Sequence, residues 1–197
     1  MIEIIKDIYN KPRTLISPAT RETLNYIKSK IGGLKIFYFK TGSKVFDWSI
    51  PKEWIINDAY IKDKKGKKIL DFKKNILSVV YYSMPINKWI SKNILKKKIF
   101  FDMKLKHATP YVTSYYKKTW GFCMPKNRYD KLNSSKYKVY IDSKFKNSKL
   151  EVGEKYIKGK RRKEIFFSTY ICHPNMANDN LSGIALQTHI IKYIQKN

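Results

Sequence analysis

Apolar and polar positions alternate along the chain with two different periods. Ile2 to Tyr9 is amphipathic and reads as a short helix. Ser17-Pro18 supplies a helix N-cap followed by proline at the first helical position. The helix it opens runs through Arg21, Leu24, Ile27 and Lys28 to a stop at Gly32-Gly33. Leu34 to Lys40 is rich in β-formers and is broken by Thr41-Gly42-Ser43. Trp54 to Lys62 and Lys68 to Phe72 predict two strands around a Lys65-Gly66 turn, and Ile76 to Tyr82 a third. Trp89 to Lys98 suits a helix, Tyr111 to Tyr116 alternates β-formers, and Pro125 to Leu132 suits a short helix. Tyr137 to Asp142, Leu150 to Ile157 and Glu164 to Ile171 are strand candidates. The last is almost continuously apolar and aromatic, the texture of a central strand covered on both faces. Leu181, Ile184, Ala185, Thr188, Ile191 and Ile194 then recur at helical spacing.

These elements predict an interrupted α/β domain. Residues 1–42 form its first part, 43–132 a mostly β insertion without long helices, and 133–197 its continuation. At 197 residues, with 43% hydrophobic and 15% aromatic side chains, the chain has ample material for a core.

Composition adds a net charge of +27, from 42 Lys and Arg against 15 Asp and Glu. Such a surface attracts phosphate backbones or anionic lipid. The lysines are scattered over every segment, alongside abundant Ile, Asn and Tyr, which is the signature of an AT-rich genome. Nucleic acid is therefore not expected as the main partner. Lys64-Lys65-Gly66-Lys67-Lys68 reads as a hairpin tip, and Lys158 to Lys163 as a turn between two strands. No apolar run approaches the ~20 residues that span a bilayer. The first residues lack the basic start and small-residue cleavage site of a signal peptide, so a cytoplasmic location without membrane partners is expected. Cys123 and Cys172 form no CxxC pair and are expected to be free, buried thiols.

Candidate chemistry concentrates at the end of the predicted central strand, in His173-Pro-Asn-Met-Ala-Asn-Asp-Asn-Leu-Ser-Gly183. Ligands of open α/β sheets bind beyond the carboxyl ends of the strands. Imidazole suits zinc, and a carboxylate can bridge two metal ions. His173 and Asp179 are the candidate ligands. Asn178, Asn180 and Ser182 offer capping groups at the helix start, and Gly183 permits close approach of helix to strand. Cys172 and His173, as neighbours on a strand end, should point to opposite faces, which disfavours Cys172 as a ligand. His107 is read as a loop residue and His189 as a helix-surface residue.

The segment resembles the di-zinc aminopeptidase superfamily, whose pattern is His-x-Asp followed by Gly-Ala-Asn-Asp-Asn-x-Ser-Gly. His173 matches its first zinc-ligand histidine and Asp179 its bridging carboxylate. More closely, the chain is similar over its whole length to aminopeptidase-like proteins encoded in bacterial surface-polysaccharide gene clusters. That similarity lies in Val45-Phe-Asp-Trp-Ser-Ile-Pro-Lys-Glu-Trp54, Pro110 to Tyr116, Trp120-Gly-Phe-Cys123 and Ser168 to Pro174. The resemblance implies a three-layer α/β/α zinc-exopeptidase domain, of which this chain is the N-terminal part, with a small inserted domain. It implies two zinc ions in a complete homologue, and a peptide or amide substrate.

Three features depart from the pattern. Asn175 stands where the superfamily has an aspartate that orients the ligand histidine. Pro12-Arg13-Thr14-Leu15 matches the subgroup's N-terminal pattern loosely. The family's general base and remaining ligands are expected beyond Asn197, so no catalytic residue is assigned and the chain is expected to be inactive alone, with a second polypeptide as one source of the remainder. A competing expectation is a non-catalytic module of polysaccharide assembly, whose tryptophans Trp48, Trp54, Trp89 and Trp120 bind a glycan or a partner.

Overall fold

The computed structural model describes residues 1–196. Helix α1, Ile2–Tyr9, buries Ile4 and Ile8. Helix α2, Pro18–Lys30, begins as its sequence dictates: Ser17 Oγ accepts the Thr20 N–H at 3.1 Å, and Pro18 occupies the position where a missing N–H costs nothing. Its buried face is Ala19, Thr20, Thr23, Leu24 and Ile27.

Among the described residues, ten strands and three further α-helices follow. They are β1 Lys35–Lys40, β2 Lys44–Val45, β3 Trp48–Ser49, β4 Glu53–Lys62, β5 Lys68–Asp71, β6 Ile86–Ser91, α3 Lys92–Lys96, β7 Ile99–Phe100, β8 Phe122–Cys123, α4 Lys126–Tyr129, β9 Lys136–Lys146, β10 Lys149–Glu154 and α5 Ser182–Lys196. The chain divides into two compact units, residues 54–145 and residues 1–53 with 146 onward.

Unit 54–145 is built on the four-stranded sheet β5-β4-β9-β6. Strand β9 alternates without error: Tyr137, Val139, Ile141 and Ser143 are buried, while Lys138, Tyr140 and Asp142 turn outward. Strand β6 pairs with it antiparallel, Ile86 against Ile141 and Ile90 against Tyr137. The β4–β5 hairpin turns at Gly66, φ +80°, where Asp63 Oδ1 takes the N–H groups of Lys65 and Lys67. Trp54 is fully buried and donates to the Ser83 carbonyl at 3.0 Å, and Trp120 packs partly buried against the same core.

Two elements of this unit differ from expectation. Trp89 lies in a strand, and the helix begins only at Lys92, because residues 86–91 find a ladder partner in β9 and Ser91 Oγ caps the turn that follows. Residues 76–82 are not a strand. Asn75 Oδ1 accepts the Leu77 N–H at 2.9 Å and starts a 3-10 turn over Ile76–Ser78.

In the other unit β1 pairs antiparallel with β10, and α1, α2 and α5 share a core of Ile4, Ile8, Leu24, Ile27, Leu181, Ile184 and Ala185. Glu53 is fully buried there, with Arg21 at 3.4 Å and Lys146 at 3.3 Å, while Arg21 also binds Glu151 at 2.8 Å. The largest departure is the segment 164–171, expected as a central strand. It has no ladder partner among the described residues, and Ile165 and Phe166 are 84% and 88% exposed. A strand exists only by pairing, and apolar texture alone does not supply the pair. For the same reason Lys158–Lys163 is not a turn between strands: an exposed irregular run follows it.

Candidate metal centre

Residues 169–183 leave this exposed run and turn into α5. A distorted wide helical turn, Ala177–Leu181, precedes the helix, and Asp179 and Asn180 leave helical φ/ψ within it. Helix α5 then buries Ile184, Ala185 and Thr188 on the period expected from the sequence. Gly183 sits where a Cβ would come within 3.1 Å of Thr169 Oγ1.

The candidate ligands meet around one aromatic side chain. The Tyr170 ring lies 4.9 Å from the His173 ring, and its hydroxyl donates to Asp179 Oδ1. That hydrogen bond, with burial and the Asp179 charge behind it, holds the Tyr170 phenol above its ordinary pKa. Asp179 itself is exposed and His173 is half-buried.

Cys172 corrects the sequence expectation. Its Sγ lies 3.3 Å from His173 Nδ1, on the same side. The two residues are not in a pleated strand, so alternation does not apply to them. Burial pushes the Cys172 thiol up, and its own backbone and Arg13 pull the other way.

The supporting residues act differently from helix caps. Asn180 Nδ2 donates to Thr169 Oγ1 at 2.7 Å, and Ser182 Oγ donates back to the Asn178 carbonyl at 2.8 Å. The first bond lashes the turn to the segment before it, and the second closes the turn onto the start of α5. Asn175 adopts φ +49°, a left-handed conformation that asparagine tolerates, and its N–H donates to the Tyr9 carbonyl at 3.3 Å. Its buried Oδ1 has no hydrogen-bond partner among the described residues. His107 bonds Asn127 in a loop and His189 is exposed on α5, both away from this segment in sequence.

Arg13 was not singled out as a site residue from sequence. It is fully buried, and its guanidinium donates to the Ile8 carbonyl and, at 2.6 Å, to the His173 carbonyl. It thereby ties α1 to the backbone that carries the candidate ligand.

As a zinc site the segment fits in kind. An imidazole and a carboxylate share one neighbour, Tyr170, and both are zinc donors. It is short in number: among the described residues, no group of three His, Cys, Asp or Glu side chains could hold one ion.

Comparison with known proteins places these observations in context. Residues 53–144 match the model of a domain of unknown function, DUF2172. The chain is 43% identical over 193 residues to a Clostridium acetobutylicum protein named as a candidate polysaccharide biosynthesis protein with an aminopeptidase-like domain, covering 98% of this chain and 44% of that protein. It superposes with a TM-score of 0.94 and 42% identity on the crystal structure of a candidate peptidase from Clostridium acetobutylicum, covering 99% of this chain and 46% of that one. The chain thus spans about half the length of the relatives it matches.

Proposed function

We propose that this chain carries the first ligand segment of an aminopeptidase-like zinc hydrolase that cleaves a peptide or amide bond in surface-polysaccharide biosynthesis. The carrying observation is the grouping of His173 and Asp179 about Tyr170 at the entry to α5. The names of the two relatives, one aminopeptidase-like within polysaccharide biosynthesis and one a candidate peptidase, support the same reading.

In this reading the His173 imidazole and the Asp179 carboxylate are the side chains that would hold zinc. Tyr170 orients the Asp179 carboxylate, Arg13 fixes the His173 backbone, and Cys172 stands beside the imidazole as a steric and polar neighbour. Zinc, when bound, polarises a carbonyl and acidifies water. The exposed run 164–171 is the edge on which further strands of a three-layer α/β/α domain pair, supplied by the same or a second polypeptide.

Zinc takes about four ligands. Two protein ligands therefore predict weak uptake. Equilibrium dialysis followed by elemental analysis tests this: zinc retention should be substoichiometric, and His173→Ala and Asp179→Ala should each abolish it. Aminoacyl-nitroanilides should not be turned over by the chain alone. Retention unchanged in both variants would remove the ligand assignment. Tight binding of two ions by the wild-type chain would show that the site is complete here, contrary to the proposal.

A further inference from the structure

The outward face of the sheet in unit 54–145 carries a row of aromatic rings that no core uses. Trp89 on β6 faces Lys138 on β9, and Tyr140 on β9 faces Asn87, two positions along. All four side chains lie on the solvent side of the ladder, opposite the buried Tyr137, Val139 and Ile141. Trp89 and Tyr140 are thus diagonal neighbours, about 7–8 Å apart between backbones and within reach of large rings. Tyr60, on the next strand β4, stacks on Tyr140 with ring centroids 4.8 Å apart and 22° between planes. Three aromatic residues therefore cross three adjacent strands, and Trp89 is 51% exposed.

Polar groups border this row. Asp142 shares the outward face of β9 and accepts a 3.0 Å hydrogen bond from Asn57. The ammonium groups of Lys62 and Lys68 each sit 4.9 Å from the Tyr60 ring centre. The unit carries 22 Lys and Arg against six Asp over residues 54–145.

We propose that this face binds a saccharide chain bearing carboxylates. Flat aromatic faces accept the C–H faces of pyranose rings, an apolar contact with defined geometry. The amides of Asn57 and Asn87 and the Asp142 carboxylate suit sugar hydroxyls, which donate as well as accept. Lys62 and Lys138 supply the charge that an acidic sugar seeks, while Lys68 is already paired with Asp71 at 3.1 Å. Sugar hydroxyls can donate to the Asp142 carboxylate, which the acceptor-only oxygens of a phosphate backbone cannot do. The inference rests on the polysaccharide part of the proposed function and not on its zinc chemistry.

Calorimetric titration and tryptophan fluorescence on the full chain test it, using a galacturonate hexasaccharide, maltohexaose and a hexameric oligothymidylate as probes. The galacturonate should bind with submillimolar affinity and perturb tryptophan emission. Trp89→Ala should weaken binding at least tenfold while leaving the thermal melting curve in place. Lys138→Glu should weaken the acidic probe at least threefold and leave maltohexaose unaffected. Asp179→Ala should not change saccharide binding, so loss of zinc and loss of glycan recognition are read separately. Absence of saccharide binding, galacturonate affinity unchanged by both Trp89→Ala and Lys138→Glu, or tighter binding of the oligonucleotide than of either saccharide overturns the proposal.

Discussion

Arg13 illustrates how one residue type acquires meaning from its background. Five of the 42 basic residues in this lysine-rich chain are arginine. Two of them, Arg13 and Arg21, use separate nitrogens of the planar guanidinium fork for separate partners: Arg13 reaches two carbonyls, and Arg21 reaches Glu53 and Glu151. An arginine standing in so lysine-rich a chain is the available sequence signal for Arg13. Arg13→Met should leave the Ile8 and His173 carbonyls without their charged donor and cost about 3 kcal/mol. Arg13→Lys should recover only part of that loss, both read from urea-unfolding midpoints. A second residue makes a prediction about pH. Burial pushes the Cys123 thiol from 9.0 up to about 12. The unfolded chain releases this proton as pH rises above about 9, while the folded chain retains it. The resulting stability is complete below that range and is lost as pH climbs toward 12. Cys123→Ala should flatten this part of the stability profile relative to wild type, and an unchanged slope between pH 9 and 11 would contradict the assignment.

At the scale of elements, legibility tracked how local the determining interaction is. Helix α2 was readable because its cap, its proline and its apolar face are all within one segment. The β4–β5 hairpin was readable because Asp63 and Gly66 encode the turn. The strand β6 was mistaken for helix because Trp89 and Ile90 are placed by β9, some fifty residues away. The same dependence explains the metal segment. The alternation of Cys172 and His173 followed from a strand that has no partner here, so their contact at 3.3 Å was invisible to pattern. The run 164–171 gives this lesson a test. Were it a buried strand, a charge at its centre would be ruinous. With Phe166 88% exposed, Phe166→Glu should shift stability by no more than about 0.5 kcal/mol and should raise solubility. A loss of several kcal/mol in thermal or urea melts would show that this segment is packed in solution.

The molecule as a whole joins two separately organised cores on one chain. One is formed by Trp54, Ile61, Tyr81, Phe122, Val139, Ile141 and their neighbours, all within residues 54–145. The other is formed by the ends of the chain, through Ile8, Leu24, Ile27, Leu181 and Ile184. Within the unit formed by the ends of the chain, Glu53 pairs with Lys146 and with Arg21. A segment whose apolar residues bury one another within its own bounds has what independent folding needs. Residues 54–145 excised from the chain should therefore unfold cooperatively and give a dispersed amide spectrum. Their excess of 22 basic over six acidic side chains predicts self-repulsion, so the midpoint should rise with added salt over the range where the Debye length shrinks below about 10 Å. A non-cooperative melt would mean that the core depends on the flanking residues. A midpoint insensitive to salt would mean that the lysines are already compensated locally, through contacts such as Lys68 with Asp71 and the ammonium groups over Tyr60. The cooperative, salt-strengthened outcome would make this unit a portable module on which the aromatic face can be studied free of the metal segment.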